Sequence, residues 1–165
     1  MNEKTLALIK ELLRTIPQVG TVEWLSIRPA RKEPVQLVQS ITIDQETGIV
    51  GDHFSGKPGS KRQVTLIQAE HLPVIAAILQ TDEIDPILLR RNIVVRGINL
   101  QSLRNLEFQI GDAILFGTGP CAPCSRMEEN LGPGGYNAMR GHGGITAKVI
   151  QSGKVSVGDQ VAISN

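Results

Sequence analysis

The strongest constraint on this chain is a nine-residue pattern that occurs twice. Phe108-Gln-Ile-Gly-Asp-Ala-Ile-Leu-Phe116 and Val155-Ser-Val-Gly-Asp-Gln-Val-Ala-Ile163 both read apolar-x-apolar, then Gly-Asp, then a strand-like run. Glycine takes a positive φ without strain, and the Asp side chain can cap the turn. Each copy therefore reads as strand, tight turn, strand. Two such turns among short strands predict a barrel. The repeat is turn chemistry and not a duplicated domain.

The rest of the chain fits that reading. Residues 19–27 (VGTVEWLSI), 35–43 (VQLVQSITI) and 62–67 (RQVTLI) are rich in β-formers, and residues 48–51 make a turn. Residues 55–60 (SGKPGS) have the composition of a flexible loop. Residues 68–80 read as a helix with Pro73 in its first turn, residues 82–89 as a short helix or turn, and residues 90–96 as a strand ended by Gly97. Residues 98–108 are ambiguous. Before all of these, Leu6, Ile9, Leu13 and Ile16 fall on one helical face across residues 2–16, and Pro17 limits that helix. The expected organisation is a helix over residues 1–17 packed on one domain over residues 18–165. The fold class is mostly β with a few helices.

Composition removes several function classes. The formal net charge is +1, so no global field draws nucleic acid, and an anion site must be built from local arginines. Aromatic residues are 3% of the chain, too few for a base-stacking surface. Neither a signal-peptide pattern nor an apolar run of about 20 residues occurs, and two cysteines do not make a secreted disulfide framework. The expectation is a cytoplasmic protein without nucleic-acid or membrane partners.

Chemistry concentrates in residues 117–135, GTGPCAPCSRMEENLGPGG, where Cys121 and Cys124 sit in a Gly/Pro-rich loop. A thiolate is both a soft metal ligand and a nucleophile, and Arg126 could favour that form. The Cys-x-x-Cys spacing alone fits a redox pair, half a zinc site or two unrelated thiols. A second cluster is Arg90-Arg91-Asn92. On a strand, Arg90 and Asn92 would share one side and Arg91 would take the other; guanidinium groups bind phosphate through paired hydrogen bonds. The alternative is a solvated basic turn. Gly51-Asp52-His53 with Lys61-Arg62-Gln63, and the Gly-rich Arg140-Gly-His142-Gly-Gly144, are weaker candidates. His71 reads as structural.

In this order the segments VGTVEWLSI, GIVGDHF, RQVTLIQAEHL, RRNIVVRGINL, FQIGDAILF, GPCAPCSRMEENLG and KVSVGDQVAI resemble the MOSC domain. That family is named for the C-terminal domain of molybdenum cofactor sulfurases. The resemblance runs from about Val19 to Ile163. It implies a MOSC-type β-barrel-like fold that binds the molybdenum cofactor (molybdopterin with Mo), with Cys124 supplying a thiolate to the metal. It also implies that Arg90 and Asn92 hold the cofactor, and that His53, Arg62 and Gln68 lie in cofactor-facing segments. Pyridoxal phosphate is not expected. The activity implied is reduction of small N-hydroxylated compounds. Larger members carry an extra N-terminal β-rich region, which is not seen here; no electron-carrier domain is expected and two cysteines cannot hold an iron–sulfur cluster in the usual four-Cys way, so electrons would come from a separate redox partner. Two other readings stay open. One is a sulfur carrier with a persulfide on Cys124, loaded by a sulfur donor protein. The other is a thiol–disulfide oxidoreductase using Cys121 and Cys124.

Overall fold

A computed structural model of the chain describes residues 1–54 and 57–164. Ser55 and Gly56, part of the loop read at residues 55–60, and Asn165 lie outside the described residues. Helix α1 (Glu3–Arg14) precedes strands β1 (Gly20–Ile27), β2 (Gln36–Val38), β3 (Ser40–Asp44), β4 (Gly48–Ile49) and β5 (Val64–Gln68). Helix α2 (His71–Leu79) and a 3-10 turn (Pro86–Leu89) lead to β6 (Ile93–Arg96). A second 3-10 turn (Leu100–Leu103) precedes β7 (Glu107–Ile110) and β8 (Ala113–Pro120). Helices α3 (Ser125–Leu131) and α4 (Gly135–Met139) follow, then β9 (Ile145–Gln151), β10 (Gly153–Ser156) and β11 (Gln160–Ile163).

Seven strands close into a barrel in the order β11-β7-β8-β9-β5-β6-β1, with β1 pairing back onto β11 through Gly20↔Val161 and Thr21↔Gln160. β10, β3 and β4 form a separate three-stranded sheet. All barrel ladders are antiparallel except β5–β6. A parallel pair needs a crossover, and the segment holding α2 and the Pro86–Leu89 turn supplies it.

That crossover explains why VTLI and IVV read as continuous apolar runs. Leu66, Ile93 and Val95 point into the barrel core with Val22, Leu25 and Phe108, while Ile67 and Val94 point outward under α2, α3 and α4 beside Ile75, Met127 and Met139. Both faces of this pair are covered, as parallel strands require. The crossover ends at residues 90–92, so the parallel pair also sets the location of the functional cluster.

The two Gly-Asp turns are present, with Gly111 at φ +53° and Gly158 at φ +93°. They are used differently. The first closes the β7–β8 hairpin. The second carries the chain from the small sheet at β10 into the barrel at β11. Asp159 caps its turn by accepting the Ser156 N–H at 2.7 Å. A Cβ on Gly111 would meet the Lys154 carbonyl oxygen at 2.7 Å, so the first turn packs directly on the second strand pair.

Helix α1 forms where its periodicity places it, capped by Asn2, whose side chain accepts the Thr5 N–H at 2.9 Å. Its C-terminal half lies across an open groove from Gln101 and Leu106, with little surface buried. None of its residues is buried, and Leu12 and Leu13 are 60% and 66% exposed. Only Ile16, beyond the helix, packs against the barrel core. The chain lacking residues 1–14 is therefore expected to melt within about 2 °C of the full chain, because little buried area is lost. A fall of more than about 5 °C in calorimetry would show that the helix contributes packing energy in solution.

Candidate functional site

A cleft of about 300 Å³ opens where the end of β1, the start of β5, residues 90–92 and the N-terminal turn of α3 converge. Ser26, Arg28, Asp52, Arg62, Thr65, Arg90, Arg91, Asn92 and Cys124 give it polar and charged groups. Ile27, Val35, Phe54 and Met127 give it apolar surface.

Residues 90–92 are not part of a strand. Arg90 ends the 3-10 turn in the left-handed region at φ +57°, and β6 begins only at Ile93. A non-glycine residue at positive φ is uncommon. Here it breaks the two-residue alternation, so the expectation that Arg91 faces away from Arg90 and Asn92 is corrected: all three line the cleft. Asn92 is stitched in by its neighbours. Its Oδ1 accepts from the Thr65 N–H at 3.2 Å and the Thr65 hydroxyl at 2.9 Å, and its own backbone N–H donates to the Thr65 Oγ1 at 3.1 Å. Its Nδ2 makes a long bond of 3.5 Å to the Ser26 carbonyl, leaving one amide hydrogen for a ligand.

Arg91 is 3% exposed. Its Nη1 donates to the Leu89 carbonyl at 2.8 Å, its Nε to the Gly143 carbonyl at 2.9 Å and its Nη2 to the Cys121 carbonyl at 3.3 Å. Burial pushes its pKa below the usual guanidinium range; the nearby Cys121 thiol acts in the opposite direction, and the Arg62 charge adds to the fall. It stays charged, because arginine does not lose its proton in proteins. The Gly143-Gly144 pair exists for packing. A Cβ on Gly143 would overlap the Cys121 carbonyl oxygen, and one on Gly144, at φ +85°, would lie 2.8 Å from the Ile67 Cα. These glycines let the Arg140–Gly144 loop press on the cysteine loop and on β5, rather than approach an anion. The His142 ring packs edge-on against His71, with centroids 5.5 Å apart.

The two cysteines are both free but differ in access: Cys121 is buried and Cys124 is exposed at the N-cap of α3. Among the described residues, no group of three or more His, Cys, Asp or Glu side chains is placed to hold a metal ion. A protein site for zinc would need four such ligands; a metal delivered by a sulfur-rich cofactor needs far fewer. Arg126 lies 4.0 Å from Glu129 on the exposed face of α3.

Of the candidates read from the sequence, Cys124, Arg90, Asn92 and Arg62 come together at the cleft. His53 is exposed next to it, between the lining residues Asp52 and Phe54, and its backbone N–H donates to the Arg28 carbonyl at 2.6 Å. Gln68 lies elsewhere, where its Oε1 accepts the Leu100 N–H at 3.2 Å and fixes the second 3-10 turn. Asp52 is already engaged: its two oxygens accept the backbone N–H groups of Arg28 at 2.8 Å and Phe54 at 3.2 Å. Arg28 and Met127 also line the cleft, and their sequence context carries no sign of it: Arg28 directly follows a strand-like run, and Met127 lies in an ordinary helical stretch. The Arg28 Nε is buried without a partner.

The lining thus holds four guanidinium groups, Arg28, Arg62, Arg90 and Arg91, against the single carboxylate of Asp52. The site is thus a cleft of net positive charge on a closed barrel, with one exposed thiol on its lining. The MOSC domain profile matches residues 51–162, and the chain belongs to the MOSC domain family, which is associated with the molybdenum cofactor. Solved structures share the fold. The YuaD protein of Bacillus subtilis superposes with a TM-score of 0.76 at 22% identity, covering 89% of this chain and 97% of that one. YiiM from Geobacillus stearothermophilus gives 0.73 at 12% identity, covering 88% and 75%. YiiM from Escherichia coli gives 0.66 at 18% identity, covering 88% and 70%. No curated protein matches the sequence. No helix among the described residues is long and apolar enough to cross a membrane.

Proposed function

We propose that the protein binds the molybdenum cofactor, with Cys124 as the thiolate ligand of the metal, and that it reduces small N-hydroxylated compounds with electrons from a separate donor. The observation that carries this reading is the exposed Cys124 thiol on a cleft with four arginines and one engaged carboxylate. The residues present fit the group. A cofactor ending in phosphate needs guanidinium donors without carboxylate partners. The orphaned Arg28 Nε and the buried Arg91 are of that kind.

When bound, the molybdenum supplies two-electron chemistry coupled to gain or loss of an oxygen atom. The chain's own residues would bind and orient. Arg28, Arg62 and Arg90 complement negative charge, the free amide hydrogen of Asn92 fixes a polar edge, and Ile27, Val35, Phe54 and Met127 exclude water. The overall reaction takes R–NHOH, two electrons and two protons to R–NH2 and water. Asp52 is a poor proton donor, since both its oxygens accept backbone N–H groups.

A sulfur-carrier role is the second reading, favoured by the same exposure of Cys124, because a terminal persulfide must reach a partner. The buried Cys121 suits a fast dithiol cycle less well. The test is metal and pterin analysis of protein made in a host that synthesises the cofactor. The expected result is molybdenum at about one atom per chain, together with pterin. Protein free of both, from a host with an active pathway, would overturn the cofactor reading. A gain of one sulfur atom on Cys124 after incubation with a cysteine desulfurase would then support the carrier.

A further inference from the structure

Arg91 is a buried cation without a buried anion. Among the described residues, the ion pairs are Arg96 with Glu23 and Arg126 with Glu129, and neither involves Arg91. Taking a charge out of water is costly unless polar groups replace the lost solvation. Three backbone carbonyls do so in part, from Leu89, Cys121 and Gly143. Carbonyl dipoles solvate a positive charge but do not cancel it. Three of the five guanidinium N–H groups are used, which leaves two. The side chain nevertheless lines the same cleft as Cys124.

The three carbonyls belong to three different segments. Leu89 closes the 3-10 turn before Arg90, Cys121 begins the loop that reaches Cys124, and Gly143 lies in the loop entering β9. The Cys121 N–H also donates to the Gly144 carbonyl at 2.8 Å, in the same place. We propose that Arg91 is the positioning residue of this site, clamping the loop that carries Cys124 and supplying the fixed positive charge that draws an anionic group to the Cys124 sulfur. A lysine could keep the charge, but a compact ammonium cannot span three carbonyls as a planar guanidinium does. The two functions are therefore separable by substitution.

The proposal deepens the reading of the cleft without depending on molybdenum, since its test uses thiol alkylation of the cofactor-free protein. Iodoacetate and iodoacetamide both react with the thiolate, so the ratio of their rates at Cys124 cancels the thiolate fraction and reports only the pull on a negative charge. Peptide mass spectrometry follows Cys124 and Cys121 separately. In the wild type the iodoacetate-to-iodoacetamide ratio at Cys124 should exceed that of an unstructured cysteine peptide by about tenfold, as a focused positive cleft predicts. Arg91→Gln, which drops the charge and keeps only two amide N–H donors, should lower the ratio at least threefold; the loosened loop acts on both reagents alike and cancels in the ratio. Arg91→Lys should keep it within about twofold while raising iodoacetamide labelling of Cys121 about tenfold, since the clamp is gone.

A purely structural role would move both reagents equally and leave the ratio unchanged in Arg91→Gln, which would overturn the charge assignment. Cys121 remaining protected in Arg91→Lys would overturn the clamp. A wild-type ratio equal to that of the free peptide would overturn the proposal whatever the variants do. Loss of molybdenum binding alone would not touch any of these outcomes.

Discussion

Gly144→Ala is expected to lower the melting temperature by about 10 °C or to prevent folding. The backbone there sits at φ +85°, which an L side chain adopts at a cost of about 1–2 kcal/mol. The added methyl would also overlap the Leu66 carbonyl oxygen and lie 2.8 Å from the Ile67 Cα, both main-chain atoms of β5. No rotamer relieves that contact, so the β5–β9 ladder must open. Overpacking of this kind costs about 1–3 kcal/mol more. The sum, about 2–5 kcal/mol, is a large share of a stability of about 5–15 kcal/mol. At about 2–4 °C per kcal/mol for a chain of this size, the fall is near 10 °C. Gly141→Ala is the control. It lies in the same loop at φ +80° but has nothing within 4 Å of its Cβ position. If the two variants melt alike, the close approach of the loop to β5 is not a feature of the protein in solution.

Cys124→Ser is expected to reduce molybdenum content at least tenfold while leaving the melting temperature of the metal-free protein within about 2 °C. The thiol is exposed and makes no capping hydrogen bond to α3, so the hydroxyl replaces nothing structural. The metal, by contrast, loses a soft thiolate for a hard alcohol that stays protonated near neutral pH. Cys121→Ser should show the reverse pattern, with metal retained but the fold loosened, because Cys121 is buried against the second loop. Metal content unchanged in Cys124→Ser would move the ligand elsewhere. Equal loss in both variants would mean that the loop's shape, and not one sulfur, holds the group.

Much of this architecture was legible in the sequence because the barrel strands carry their own signal. Alternating or continuous β-branched runs gave β1, β5 and β6, and Gly-Asp marked both turns where glycine adopts positive φ. What turn chemistry does not encode is the partner of the strand that follows. The second Gly-Asp turn therefore looked like a hairpin, yet it transfers the chain between sheets. The same limit applies to α1. Period 3.6 identifies an apolar face but not what covers it, and Leu6, Leu12 and Leu13 remain exposed.

At the site, residue type was a better guide than assumed geometry. Cys124 and the Arg90–Asn92 cluster stood out as chemistry in a Gly/Pro-rich or basic context, and they meet. Strand alternation does not extend to Arg91, because β6 begins only at Ile93. Nothing about an arginine announces the left-handed backbone of Arg90 that cancels it. The resemblance puts Gln68 in a cofactor-facing segment, whereas its side-chain oxygen serves the turn at Leu100. The glycines at 143 and 144 were visible as unusual, but only packing against Cys121 and β5 explains them.

The seam between β1 and β11 joins the strand that opens the barrel to the one that closes it. During synthesis, the Gly20–Thr21 edge of β1 has no partner until β11 has left the ribosome. Residues 28–163 must therefore be made while the barrel stands open along one edge, a template for pairing with other nascent chains. Pairings of such long sequence separation form slowly. The vulnerable period of this protein is thus set by translation speed as much as by its finished stability. A ribosome pause before β11 would lengthen the time in which it can aggregate, even though the completed barrel presents no such seam.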